Sequence, residues 1–159
     1  MLEHFAMTEM THEAVPDVSG ISKACGLSHW SEEDYRNEID RKDSIAICAS
    51  DRQNVVGFIV GRVIGQMDVL HNCEAEIYNI AVAPEYRRRG VGQKLMQSFL
   101  QTALSRSVQT VWLEVRASNA AAIEFYNSFG FSQVSRRKNF YAAPVEDALV
   151  MAANLTSEA

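Results

Sequence analysis

The sequence predicts an α/β (α+β mixed) fold, with a central mixed, mostly antiparallel sheet covered by helices. Three observations lead there. Strand-like and helix-like segments interleave along the chain, which calls for crossover connections. Consecutive strand-like segments also occur at 44–64 and 133–154 with no helix between them, and these require hairpins. Hydrophobic residues make up 47% of the 159 residues, enough to give one compact domain over residues 1–159 a substantial core.

Taken in order, a short strand is predicted over Phe5–Met10 and a helix from Glu13 to Cys25, stopped by Gly26. Ser31, with Asp34 three residues on, predicts a capped second helix carrying Tyr35 and Ile39. Ser44–Ser50 and Val55–Ile64 read as strands joined by the polar turn Asp51-Arg52-Gln53-Asn54, and Glu76–Val82 is the next strand. Over Val91–Ser105 the apolar positions Val91, Leu95, Met96, Phe99, Leu100, Ala103 and Leu104 recur at helical spacing. Thr110–Arg116 alternates instead, with Val111, Leu113 and Val115 on one face and Trp112, Glu114 and Arg116 on the other. Asn119 predicts the N-cap of a helix running to Phe129 and ended by Gly130. Strands around Gln133–Tyr141 and Asp147–Asn154, separated by Ala143-Pro144, complete the chain.

Charge and composition exclude several classes of function. A net charge of −5 argues against direct nucleic-acid binding. Cys25, Cys48 and Cys73 are odd in number and lack a C-x-x-C pair, as befits reduced thiols rather than a disulfide framework. His4, His12, His29 and His71 show no zinc spacing, so no metal is expected. No apolar run suits a membrane span or a signal peptide, which places the protein in the cytoplasm with no membrane partner. Nothing in the sequence specifies an oligomeric state.

The segment Tyr86-Arg87-Arg88-Arg89-Gly90-Val91-Gly92 joins a strand to a long amphipathic helix. Its glycines let consecutive backbone N–H groups converge where a helix begins, and the first amides of a helix have no intrahelical acceptor. The helix dipole adds positive potential there, and arginines match phosphate geometry. A P-loop and a Rossmann turn are both excluded, because neither Gly-Lys-Ser/Thr nor G-x-G-x-x-G is present. A pyrophosphate cradle is the reading; a tight turn with a solvated arginine run is its alternative.

Arg87-Arg88-Arg89-Gly90-Val91-Gly92 resembles the R/Q-x-x-G-x-G/A motif with which the GNAT N-acetyltransferase superfamily binds acetyl-CoA. Trp112-Leu113-Glu114-Val115-Arg116-Ala117-Ser118-Asn119, then Phe125-Tyr126, Gly130-Phe131 and Arg136-Arg137-Lys138-Asn139-Phe140-Tyr141, are similar to the bacterial RimI branch of that family. His29-Trp30-Ser31-Glu32 resembles its Pro-Trp-Ser segment. The resemblance implies a sheet splayed open in the middle, acetyl-CoA as co-substrate, and acetylation of the N-terminal alanine of a small-subunit ribosomal protein.

A free α-amine has a pKa of about 8, so attack on a thioester requires a base. Glu114 lies beside Trp112 on the more polar face of its strand, where partial burial would raise its pKa. Read from the residues alone, a carboxylate paired with Arg116 is the alternative. The resemblance implies that Glu114 is the base and Tyr126 the acid, while Glu76, and less so Glu74, compete for the base. It also implies that the backbone of Ile80, Ala81 and Val82 holds the pantetheine arm, with Asn119 and Tyr126 at the cofactor. Asn119 reads equally as a helix cap.

For the substrate, the resemblance implies that Trp30, Glu114 and Tyr141 hold the peptide. Phe140 stands where the family has the first tyrosine of a pair, and His29 where it has proline. Glu32, Glu33 and Asp34 suit basic residues downstream of the alanine, or simply an acidic first helical turn. Other readings are acetylation of a lysine side chain or small amine, and an acetyl-CoA-binding module without turnover.

Overall fold

The computed structural model describes residues 4–27, 30–65 and 73–155. Its elements are β1 (Ala6–Glu9), α1 (Val15–Ala24), α2 (Glu32–Ile39), β2 (Ser44–Asp51), β3 (Asn54–Ile64), β4 (Glu74–Val82), α3 (Val91–Ser105), β5 (Thr110–Arg116), α4 (Ala120–Asn127), β6 (Ser132–Ala142) and β7 (Val145–Asn154). Seven strands pair in the order β1-β2-β3-β4-β5-β7-β6. The β1–β2, β2–β3, β5–β7 and β6–β7 pairings are antiparallel, and β4–β5 is parallel. A parallel pair cannot be closed by a hairpin, and α3 is the crossover between β4 and β5.

The chain divides into two compact units, Met1–Val63 with Ile77–Arg106, and Ile64–Glu76 with Ser107–Ala159. In the first, α3 packs over β2 and β1 and buries Val91, Leu95, Met96, Phe99 and Ala103. A second group within this unit joins Val15 and Val18 of α1 to Tyr35, Phe58 and Val60. Each such side chain is stabilised by roughly 1.5–3 kcal/mol on leaving water. Ser31 caps α2 reciprocally: the Asp34 N–H donates to Ser31 Oγ (3.1 Å) and the Ser31 N–H to Asp34 Oδ2 (2.7 Å).

In the second unit β5 alternates as its sequence does, with Val111, Leu113 and Val115 buried. They meet Leu149, Met151 and Ala153 of β7 and Phe131 in its core. β6 is the edge strand, exposed along its whole length except at half-buried Tyr141. Two irregularities interrupt its pairing with β7, one between Gln133 and Ser135 and one between Arg137 and Tyr141.

Several boundaries differ from expectation. β4 begins at Glu74 rather than Glu76, because Glu74–Glu76 pair with Thr110–Trp112. α4 ends at Asn127, two residues short of Phe129, and the Phe131 N–H turns back to the Tyr126 carbonyl (3.2 Å). The turn between β2 and β3 shrinks to Arg52-Gln53, with Arg52 left-handed at φ 59°.

Candidate active site

In the first unit, β4 delivers Ile80, Ala81 and Val82 to the loop that starts α3. Ala81 is buried, and the Ala83 N–H donates to the Val56 carbonyl (2.8 Å). Gly57 allows this approach: a Cβ there would lie 3.0 Å from the Ala81 carbonyl oxygen and 3.2 Å from Val91 Cγ1. The loop places both Arg88 (φ 63°) and Gly90 (φ 82°) in the left-handed region. Gly90 is the N-cap of α3 and no side chain caps the helix. The first intrahelical bond is Lys94 N–H to Gly90 O (3.1 Å), so Val91, Gly92 and Gln93 present amides without an intrahelical acceptor. Turns with left-handed residues gather successive N–H groups into a concavity suited to anions.

The three arginines of this loop do different things. Arg87 donates to Cys25 Sγ (3.2 Å), which itself donates to the Val82 carbonyl (3.4 Å). Arg89 lies over the Tyr86 ring (4.7 Å), and the Tyr86 hydroxyl donates to Asp51 (3.1 Å). The exposed Arg88 contributes the left-handed backbone. Arg87 and Arg89 thereby brace the loop.

Trp30 is half-buried against Tyr35 (5.0 Å) and Tyr78 (5.8 Å). It lines an open cleft of about 470 Å³ with Asp34, Glu38, Arg41 and Arg62. Glu38 is buried and paired with Arg62. In the acidic turn, Asp34 closes the cap and Glu32 pairs with Arg36 (2.9 Å), while Glu33 is exposed. His29 lies outside the described residues.

In the second unit, Glu114 sits half-buried on β5 and its Oε1 accepts from Arg137 Nη1 (2.8 Å). Arg116 does not pair with Glu114. It pairs with Glu146 (3.3 Å) and stacks over the Tyr141 ring (4.2 Å). Glu146 also accepts the Ser118 N–H (2.7 Å), and the hydrogen bonds from Ser118 hold its carboxyl below the usual range. Ser118 precedes Asn119, whose Oδ1 accepts from the Ala122 N–H (3.2 Å) and caps α4, the helix carrying Tyr126. Tyr126 packs edge-on against Phe125 and Phe131. Burial, with a further push from Tyr141, raises its phenol to about 12. The Tyr141 phenol is also raised, by burial and by the charge of Glu114. Tyr141 is thus within electrostatic reach of both Glu114 and Tyr126.

Glu74, placed by sequence near a loop, is instead in β4 and accepts from Trp112 Nε1–H (2.9 Å). Glu76 stands opposite Trp112 in the parallel register. Sequence reasoning missed two residues. Gly57, a glycine inside a strand-like run, carried a usable signal of close backbone approach. Arg137 carried none for its contact with Glu114. Among the described residues no group of three His, Cys, Asp or Glu is placed to hold a metal, and no helix is long and apolar enough to cross a membrane.

An uncapped, left-handed helix start beside a strand, and a carboxylate with two half-buried phenols in one unit, are the equipment of an acyl-transfer enzyme. The model of the Acetyltransferase (GNAT) family matches residues 15–131, and the chain belongs to that family. It is 40% identical over 126 residues to the [ribosomal protein bS18]-alanine N-acetyltransferase of Salmonella typhimurium, covering 77% of this chain and 79% of that protein. A protein of the same name from Haemophilus ducreyi is 32% identical over 83% of this chain and 88% of its own. Among solved structures, the ribosomal-protein-S18-alanine N-acetyltransferase from Escherichia coli superposes with a TM-score of 0.85 at 29% identity, over 98% of this chain and 97% of that one.

Proposed function

We propose that this protein transfers the acetyl group of acetyl-CoA to the α-amine of a protein N-terminus, with the N-terminal alanine of a small-subunit ribosomal protein as its target. The observation that carries this reading is the 40% identity, over more than three quarters of both chains, to the Salmonella bS18-alanine N-acetyltransferase. We read the chain as one catalytic domain working in the cytoplasm on a protein partner.

The residues fit acetyl-CoA: the open amides at Val91 and Gly92 and the left-handed Arg88 and Gly90 suit its pyrophosphate, with Arg87 and Arg89 bracing the loop. The backbone of Ile80, Ala81 and Val82 is assigned to the pantetheine arm. When bound, acetyl-CoA supplies an activated thioester carbonyl. Glu114 takes the proton of the substrate α-ammonium, freeing the lone pair that attacks this carbonyl. Tyr126, with its phenol pushed up to about 12, holds its proton at the departing sulfur. Because a thiol has a pKa of about 8.5, that phenol stabilises the departing thiolate by hydrogen bonding and keeps its own proton. The second proton, which the nitrogen sheds as the amide forms, goes to the thiolate. Asn119 sets the start of α4 and hence the placement of Tyr126; Trp30 and Tyr141 are assigned to the peptide.

The test is mass spectrometry after incubation with acetyl-CoA and a short basic peptide beginning with alanine, beside a copy with its N-terminus blocked and a lysine free. Acetylation confined to the free α-amine is the expected result. Modification of the blocked peptide would reassign the enzyme to lysine side chains.

A further inference from the structure

The carboxylate assigned as base is not open in the free protein: Arg137 sits on it. We infer that Arg137 is a positioning residue, the counter-ion that Glu114 exchanges for the α-ammonium of the substrate. The inference rests on the reading of Glu114 given above.

β6 and β5 are not neighbours; β7 lies between them. Glu114 pairs with Val150, and Val150 pairs with Ser135. Ala148, two residues along β7, pairs with both Arg116 and Arg137. Directly paired residues project from the same face, so Glu114, Arg116, Ser135 and Arg137 share one. The irregularity between Gln133 and Ser135 creates this arrangement. Without that extra residue, Val134 would oppose Val150 and Arg136 would take the place of Arg137 on this face.

The three arginines of this hairpin region are not equivalent. Arg116 has Glu146 and Arg136 has Asp147, both carboxylates of β7. Arg137 has Glu114, with side-chain exposures of 54% and 21%. Its guanidinium also lies over the Phe140 ring (4.4 Å), on the irregular stretch anchored by the bond from the Asn139 N–H to Asp147 (2.9 Å). An arginine has only N–H donors and keeps its charge at every working pH, so it occupies the carboxylate as an ammonium would without giving it a proton. A pair this exposed is weakly held. The Phe140 face already holds the guanidinium in the paired state, a contact that does not depend on the carboxylate. An ammonium arriving at Glu114 competes for the same oxygen and is smaller, so exchange needs only a swing of one surface side chain.

The experiment compares wild type, R137A and the neighbouring-charge control K138A. It measures kcat and KM for an alanine-starting peptide, and calorimetric affinity for that peptide on wild type, R137A, E114Q and E114Q/R137A. Removing the competitor lowers peptide KM and Kd about 2- to 5-fold in R137A, with kcat changed less than about 2-fold. K138A leaves KM unchanged, and R137A has no effect on affinity once Glu114 is glutamine. An R137A enzyme with unaltered or raised KM, an equal gain in K138A, or a gain that persists with E114Q would each overturn the exchange. If E114Q itself turned over at the wild-type rate, the assignment of the base would fail, a result that involves no Arg137 variant.

Discussion

Tyr126 owes its chemistry to burial. Its ring is held between Phe125 and Phe131, and the low-dielectric surroundings disfavour the phenolate, so the phenol is raised to about 12. Between about pH 10 and 12 the unfolded chain releases this proton while the folded chain keeps it. The unfolded state then binds fewer protons, and stability falls as pH rises through that window. Tyr126→Phe removes this contribution. Its urea midpoint therefore drops less than that of wild type between about pH 9 and about pH 11, while the residual drop reflects groups such as Cys48, also pushed to about 12 by burial. In the same variant kcat falls by about 10- to 100-fold with little change in acetyl-CoA KM, because a hydrogen bond to a developing charge is lost. An unchanged kcat would make Tyr126 a packing residue. The positions of Glu114 and Tyr126 were legible in sequence, one on the polar face of a strand and the other two turns past a cap, whereas the roles assigned to them come from the family resemblance alone. Arg137 was not, because its face is decided by an irregularity in β6 that no residue type in Gln133-Val134-Ser135 announces.

At the scale of elements, α3 and β5 appear with the boundaries their patterns predict, because each buries a face of its own period: 3.6 for α3 and 2 for β5. β4 takes in Glu74 and Ala75 ahead of Glu76, where its sequence pattern starts. Pairing with β5 and the Trp112–Glu74 bond fix them in the strand. The placement of α3 depends on Gly57. Any side chain there meets the Ala81 carbonyl and Val91 at once, so the start of α3 or the end of β4 must move. Gly57→Ala should lose about 1–3 kcal/mol of stability, read from the urea midpoint. It should raise the KM for acetyl-CoA several-fold more than the KM for peptide, since the displaced residues are those assigned to the pantetheine arm and pyrophosphate. Equal effects on both KM values would mean that the approach at Gly57 serves packing alone.

For the molecule as a whole, the order in which groups move is constrained by what nucleophiles it contains. A route in which a thiol first takes the acetyl group would need one of the three cysteines. The structure narrows it. Cys48 and Cys73 are buried, and burial pushes the Cys48 thiol up to about 12, so it presents almost no thiolate at neutral pH. Cys25 is half-buried, with its thiol donated to the Val82 carbonyl and its sulfur accepting from Arg87. Neither the carbonyl nor the guanidinium that the Cys25 sulfur meets is a base able to take its proton, as an acyl carrier needs. With no thiol so equipped, the proposed path is direct attack by the substrate amine, with both substrates bound together. Initial-rate plots should then intersect rather than run parallel as peptide and acetyl-CoA are varied. Intact-mass spectra of the protein held with acetyl-CoA alone should show no added acetyl group. A covalent adduct that forms without peptide and decays when peptide is added would place the first transfer on the enzyme. Its loss in Cys25→Ser would identify the carrier.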